Sequence, residues 1–178
     1  ENPTIFDITK GRIVRSAKKI VEDNNSSKNP KDLSEQDFGF KVFETTPIWD
    51  DYEIEAKEFS NNLQLFDETK LNDNDIKTLL ITWKTYDNIP LTQNLENVDI
   101  AGYIGHYADN KLYLMDKDFQ TENLKNLLEK IDKDKDFNPA SIIAFGYHFE
   151  SKSLREISEN IKSYANKKNI DIDFITRY

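Results

Sequence analysis

The sequence contains no cysteine and only five glycines among its 178 residues. Without thiols it cannot form disulfides, a thiolate nucleophile or a zinc–thiolate site. The glycines form no phosphate-binding loop, since Gly102 and Gly105 lack the spacing of one, and no Gly-x-Ser-x-Gly elbow occurs. No apolar run approaches the length of a membrane span, so a transmembrane helix is excluded.

A calcium loop is also excluded. Asp132, Asp134 and Asp136 imitate the start of such a loop, but Phe137 stands where the loop needs glycine. Ile143 stands where it needs a closing glutamate. We therefore expect no metal site in this chain.

The charge balance is acidic, with 33 Asp and Glu against 24 Lys and Arg and a net charge of −9. Such a chain repels phosphate at long range and is expected to bind duplex DNA weakly by itself. Basic residues cluster only near the start of the chain. They are Lys10, Arg12, Arg15, Lys18 and Lys19. These side chains either contact DNA or another domain, or form the solvated face of a packed helix.

The start of the chain predicts a helical arm and a linker. Apolar residues recur at near-helical spacing from Ile5 to Val21, which predicts a helix over 5–22 within a basic arm of residues 1–25. Turn-forming residues with little to bury follow, so residues 26–37 are predicted to be a linker. The remaining residues, 38–178, are predicted to form one C-terminal α/β domain.

The pattern of this domain predicts alternating strands and helices. Phe38 to Glu44 alternate as a strand that ends before Pro47, with Trp49 as an anchor. A helix is predicted over 50–66, and a second helix over 73–86 has the buried stripe Ile76, Leu79, Leu80, Trp83 and Tyr86. A hairpin of strands 98–107 and 112–115 follows, with Gly102 at a bulge or bend. The last predicted elements are a helix over 120–131, a strand over 141–147, a helix that runs from a capping pattern at Ser153 to Asn169, and a strand over 170–175.

Crossovers of this length favour parallel pairing with right-handed connections. The predicted fold class is therefore α/β, with a mixed sheet, a β-hairpin and βαβαβ-like crossovers. Helices pack on the sheet, and an N-terminal helical arm precedes it.

Polar residues follow two of the predicted strands. Asp116 comes directly after one strand, and His148 and Glu150 come after the next. Ligand sites of α/β sheets gather at the carboxyl ends of strands. These three residues therefore either form a strand-end site or are polar residues that merely end a strand.

Two stretches resemble a known family. Thr4–Ile20, with Arg12 and Arg15 followed by Lys-Lys-Ile, is similar to a helix of the Mod (methyltransferase) subunits of type III restriction-modification systems. Phe38–Asp50, with Gly-Phe-Lys-Val-Phe and then Trp-Asp, is similar to the strand that follows that helix. The resemblance covers the first 50 residues well. In the remaining residues it extends only to the order of the predicted helices and strands.

The resemblance implies that the intact protein methylates adenine N6 at a specific DNA site with S-adenosylmethionine. It also implies a second Mod subunit and a Res helicase-nuclease subunit as partners. The Asp-Pro-Pro-Tyr and Phe-x-Gly-x-Gly segments that such subunits use for catalysis and cofactor binding do not occur in these 178 residues. This piece is therefore expected to be a non-catalytic C-terminal domain that binds no cofactor and serves assembly with Mod or Res.

Two other function classes stay open from the residues alone. One is a free-standing small α/β enzyme with a strand-end site near His148, and the other is an acidic protein-interaction module. The chain begins at Glu1 without Met, and no signal peptide is visible. We expect a piece of a longer cytoplasmic protein without membrane contact. The reading frame upstream of Glu1 would discriminate between the classes.

Overall fold

A computed structural model describes residues 3–47 and 71–178, which belong to two compact units, Glu1–Thr46 and Pro47–Tyr178. The predicted anchor Trp49 and the predicted helix over 50–66 lie outside the described residues. No helix among the described residues is long and apolar enough to span a bilayer.

The first unit contains one long helix, α1 (Ile5–Asn25). Thr4 begins it with a capping box, in which its hydroxyl accepts from the Asp7 backbone N–H at 3.2 Å and the Asp7 carboxylate accepts from the Thr4 N–H at 2.9 Å. No residue of α1 is buried. The predicted helix at the start of the chain is confirmed.

A hydrogen-bonded loop follows the end of α1. The Asn24 side-chain amide accepts from the N–H of Lys31 and donates to its carbonyl oxygen, both at 2.9 Å.

The strand predicted at Phe38–Glu44 is wrong for this structure, because no regular structure forms there. Phe40 and Phe43 remain 43% and 44% exposed. A strand needs a neighbour to complete its hydrogen bonds, and no described strand pairs with this segment.

The second unit is an α/β domain with a five-stranded sheet. Its elements are α2 (Asp73–Tyr86), β1 (Glu96–Ile100), β2 (Tyr103–Ala108), β3 (Lys111–Leu114), α3 (Thr121–Lys133), β4 (Ser141–Phe145), α4 (Ser151–Lys168) and β5 (Asp173–Arg177). The strands lie in chain order, with β1, β2 and β3 antiparallel and β3, β4 and β5 parallel. The predicted mixed sheet, hairpin and crossovers are confirmed.

Several local boundaries differ from the sequence-based prediction, and three of them have a clear physical reason or affect the topology. The strand predicted over 98–107 is two strands, because Ala101 and Gly102 take positive φ and the Asp99 carboxylate accepts from the Gly102 N–H at 2.7 Å. The fourth helix begins at Ser151 rather than Ser153, since the Glu150 carbonyl already accepts from Leu154. The last strand is Asp173–Arg177 rather than 170–175.

Helices cover both faces of the sheet. On one face α3 and α4 bury Leu127 and Ile161 against strand residues such as Ile142. On the other face α2 buries Leu79, Leu80 and Trp83 against Tyr113, Ile143 and Phe145. The prediction for Tyr86 is wrong: it is the last residue of α2 and is 83% exposed, because the helix ends there and the chain turns away through Asn88 at positive φ.

Candidate functional site

The carboxyl ends of β3 and β4 open into a cleft of about 520 Å³ beside the first turns of α2. Its lining residues are Leu71, Asp73, Ile76, Lys77, Leu80, His106, Asp116, Lys117 and His148. The structure thus brings together His148 and Asp116 of the sequence-predicted site. Glu150 does not line the cleft, because it is the exposed residue at which α4 begins.

Asn72 fixes the start of α2 above the cleft. Its side-chain oxygen accepts from the backbone N–H groups of Asn74 at 2.9 Å and Asp75 at 3.2 Å, while the Asp75 carboxylate accepts from the Asn72 N–H at 2.9 Å. This capping box places Ile76 and Leu80 on the apolar wall of the cleft.

His148 sits in the short 3-10 turn that follows β4. Its Nδ1 donates to the carbonyl oxygen of Met115 at 2.6 Å, and its ring packs edge-on against Phe145 with centroids 4.6 Å apart. Because a carbonyl oxygen only accepts, Nδ1 carries the proton and Nε2 carries the lone pair when the ring is neutral. The strand end therefore fixes both the tautomer and the orientation of His148.

His106 reaches the same cleft from β2. It lies opposite Tyr113 of β3, which turns its side chain to the face covered by α2. Its Nδ1 donates to the side-chain oxygen of Asn97 at 3.0 Å. Burial lowers the pKa of His106, although the charge of Asp116 opposes this shift. The neutral ring, with its lone pair on Nε2, is therefore favoured near neutral pH.

Sequence reasoning missed His106 as a site residue. The signal that identifies it is the register of β2 against β3, which aligns His106 with Tyr113. That register depends on where β1 ends and β2 begins, and the sequence predicted one strand there. A histidine in a hairpin could be assigned to a face only after the turn at Ala101 and Gly102 was placed.

The backbone that carries Asp116 is held by Tyr103, whose hydroxyl donates to the Asp116 carbonyl oxygen at 2.9 Å. Burial, together with the nearby Asp116 charge, raises the pKa of Tyr103, so the phenol stays protonated as this donor. The Asp116 side chain is exposed at the rim of the cleft. Within residues 3–47 and 71–178, no group of three or more His, Cys, Asp or Glu side chains could hold a metal ion.

The basic residues of α1 lie on the exposed surface of the helix. Lys10, Arg12, Arg15, Lys18 and Lys19 are all exposed, and none makes a salt bridge to another described residue. The Arg15 guanidinium lies over Gly11, where an added Cβ would be 3.1 Å from its Nη1 atom. The helix therefore presents its positive charge to its surroundings.

Fold and site together define a three-layer α/β domain with a mixed sheet and a polar strand-end cleft. The family model of the type III R-M EcoP15I C-terminal domain matches residues 74–170, which is more than half of the chain. The chain therefore belongs to this family, and the resemblance seen in the sequence is confirmed.

Three curated relatives match nearly the whole chain. It is 40% identical over 178 residues to the type III restriction-modification enzyme EcoP15I Mod subunit of Escherichia coli, covering 98% of this chain and 24% of the relative. It is 38% identical over 176 residues to the EcoPI Mod subunit of Escherichia phage P1, covering 98% of this chain and 26% of the relative. It is 28% identical over 187 residues to the StyLTI Mod subunit of Salmonella typhimurium, covering 94% of this chain and 28% of the relative. The chain spans about a quarter of the length of these relatives.

Proposed function

We propose that this chain is the C-terminal domain of a type III restriction-modification Mod subunit and acts in assembly rather than in catalysis. The observation that carries the proposal is the family match over residues 74–170, together with Mod relatives along nearly the whole chain. The two catalytic segments expected of a Mod subunit do not occur in the 178 residues. The partners that we propose are a second Mod subunit and the Res subunit.

The intact protein is proposed to methylate adenine N6 at a specific DNA site in the cytoplasm. Methyl transfer to a base in duplex DNA requires an enclosed pocket for the flipped adenine and a site for S-adenosylmethionine. Both are proposed to lie outside this chain, since the segments that build them are not in it. DNA binding is likewise proposed for the intact protein, because a chain of net charge −9 repels phosphate.

The arm of residues 1–25 is proposed to pack with the catalytic part of the intact subunit, with 26–37 as linker and 38–178 as the C-terminal domain. Two observations support a separate partner for the arm. None of the residues of α1 is buried, and the family model of the C-terminal domain begins only at residue 74. The basic residues Lys10, Arg12, Arg15, Lys18 and Lys19 are then a DNA contact or an interdomain contact.

The test compares this chain with the product of the full reading frame. Calorimetric titration with S-adenosylmethionine and a methyl-transfer assay on duplex DNA should give signals only for the longer protein. Its upstream sequence should contain Asp-Pro-Pro-Tyr and Phe-x-Gly-x-Gly. Micromolar binding of S-adenosylmethionine by the 178-residue chain would contradict the proposal and favour a free-standing enzyme.

Assembly is tested separately, by mixing the full-length protein with Res. Deleting residues 74–178 from the full-length protein should abolish the Mod–Res or Mod–Mod complex in size-exclusion chromatography, while S-adenosylmethionine still binds. Loss of cofactor binding together with assembly would instead give this domain a part in the catalytic fold.

A further inference from the structure

The two edges of the sheet differ in charge. Among the described strands, β1 pairs with β2 alone and β5 pairs with β4 alone, so these two strands form the edges. β1 carries the acidic residues Glu96 and Asp99 and no basic residue, so two copies of this edge would repel each other. β5 begins with Asp173 and ends with Arg177, so its formal charges sum to zero. In a chain of net charge −9, β5 is therefore the edge suited to meet a second copy.

The outer side of β5 presents backbone hydrogen-bonding groups. The Asp173 N–H donates to the Ala140 carbonyl oxygen at 2.9 Å, so the backbone of Asp173 faces β4. Successive residues of a strand direct their backbone groups to opposite sides, which turns the N–H and C=O groups of Phe174 and Thr176 away from β4. These groups form a short edge onto which a further strand can pair.

An antiparallel pair of two β5 strands, with Ile175 on the twofold axis, uses these groups and pairs all five residues of the strand. Phe174 of each copy lies opposite Thr176 of the other, and the two residues exchange both backbone hydrogen bonds. Asp173 of each copy lies opposite Arg177 of the other, so opposite charges meet at both ends. The Ile175 side chain, which is 37% exposed, meets its own copy at the centre and becomes covered. The strand is thus self-complementary in hydrogen bonding, in charge and in its exposed apolar residue.

We propose that β5 is the surface through which a second copy of this chain binds, so that the two sheets continue into one another across a twofold axis. The inference rests on the assembly function proposed above, and it names the partner and the surface. The pairing adds to other contacts between the copies and does not hold them together alone, because an isolated pair of short strands is only marginally stable in water.

Cysteine cross-linking tests the pairing, since the chain has no cysteine of its own. Ile175 faces its own copy as a non-hydrogen-bonded pair, in which Cα atoms lie about 4.5 Å apart, within the reach of a disulfide. Ile175→Cys should therefore give a covalent dimer when the 178-residue chain is mildly oxidised. Ile170→Cys is the matched control, because Ile170 is 39% exposed but lies before β5, far from the twofold axis. It should cross-link much less.

A charge change tests the contacts at the ends of the strand. Asp173→Lys, added to Ile175→Cys, places a lysine opposite Arg177 of the second copy and should lower the yield of the cross-link about threefold or more. Asp171→Lys changes the net charge by the same amount two residues earlier, before β5 begins, and should leave the yield nearly unchanged. Circular dichroism confirms that each variant is folded.

Hydrogen exchange tests the pairing without a substitution. The amide hydrogens of Phe174 and Thr176 should be protected in the associated chain and should lose this protection on dilution to the monomer. The Ile175 amide, which faces β4, should stay protected in both states.

Three results would overturn the proposal. One is an associated chain in which Ile175→Cys cross-links no more than Ile170→Cys, and another is an equal loss of cross-link in Asp173→Lys and Asp171→Lys. The third is a monomeric mass of the 178-residue chain by light scattering at the concentration used for oxidation. The assembly function fails on a different result, which is an unchanged complex of the full-length protein after deletion of residues 74–178.

Discussion

Asp87 and Arg177 form a two-pronged ion pair across 90 positions of sequence, with Nη1 to Oδ2 at 2.9 Å and Nη2 to Oδ1 at 2.6 Å. The Tyr113 hydroxyl donates to the same carboxylate at 2.8 Å, and the guanidinium lies 5.7 Å from the centre of the Trp83 ring. Asp87 is the C-cap residue that directly follows α2, and Arg177 is the last residue of β5. One carboxylate thus joins the covering helix, the central strand and an edge strand.

Arg177→Ala should therefore destabilise the domain by about 1–3 kcal/mol. The pair is only partly buried, with 12% exposure of the Asp87 side chain and 28% of Arg177, which places the cost between surface and buried pairs. Arg155→Ala is the matched control, since its contact with Glu159 lies on the exposed surface of α4 and should contribute much less to stability. Urea unfolding of both variants measures the difference, and equal losses would contradict a special role for Arg177.

The same pair predicts acid sensitivity. Burial raises the pKa of Asp87, but the hydrogen bonds from Arg177 and Tyr113 and the charge of Arg177 more than offset this, so the folded-state pKa lies below its usual value. A carboxyl group whose pKa is lower in the folded state stabilises the fold at pH values above its unfolded-state pKa of about 3.9. This stabilisation is lost as the pH falls through the folded-state pKa.

The stability difference between the parent and Asp87→Asn should thus be constant near neutral pH and shrink below about pH 4. Free energies of unfolding measured across this range check the sign. If the stability difference grew as the pH fell, the folded-state pKa of Asp87 would be raised rather than lowered.

Trp83 and Tyr86 lie on the same helix and should respond differently to truncation. Trp83 is 7% exposed and packs edge-on against Phe145 with centroids 5.7 Å apart, so Trp83→Ala should cost about 3–5 kcal/mol. Tyr86→Ala should change stability by about 0.5 kcal/mol or less, because the ring is exposed. Thermal unfolding of both variants tests the orientation of α2, and similar melting of Trp83→Ala and the parent would refute it.

The apolar side of α1 should mediate association. Ile5, Phe6, Ile8, Ile13 and Ile20 are all exposed by more than two-fifths, and such surface favours burial in a partner. We expect light scattering to give a mass above the monomer for the 178-residue chain and the monomer mass after deletion of residues 1–25. A monomer in both cases, with α1 protected from hydrogen exchange, would show that the helix packs within its own chain.

Long periodic segments were predictable from the sequence because their own residues determine them. The stripe Leu79, Leu80 and Trp83 located α2, and Asn169 ended α4 since asparagine tolerates the positive φ found there. Phe38–Glu44 has an equally clear alternating pattern, yet it forms no strand. Alternation describes two faces of a segment, whereas a strand also requires a partner that supplies hydrogen bonds.

The candidate site was only partly predictable for a related reason. Asp116 and His148 could be placed together because parallel neighbours end at the same edge of a sheet. His106 depends on a cross-strand register, and the lysines of the rim depend on how α2 lies over the sheet. Such relationships arise from packing between elements, and a single sequence does not contain them as a local signal.

The strands of this sheet lie in the same order as in the chain, which has a consequence for the path of folding. Turns of two residues connect β1, β2 and β3, whereas a helix lies before each of β4 and β5 in the chain. Pairing β4 and β5 with their neighbours therefore costs more loop-closure entropy. We expect pulse-labelled hydrogen exchange to protect β2 and β3 before β5, and simultaneous protection would argue against this order. During synthesis each strand would then meet a neighbour that is already formed. The contact between Asp87 and Arg177 would form last and join the completed sheet to α2, the first helix of this unit in the described chain.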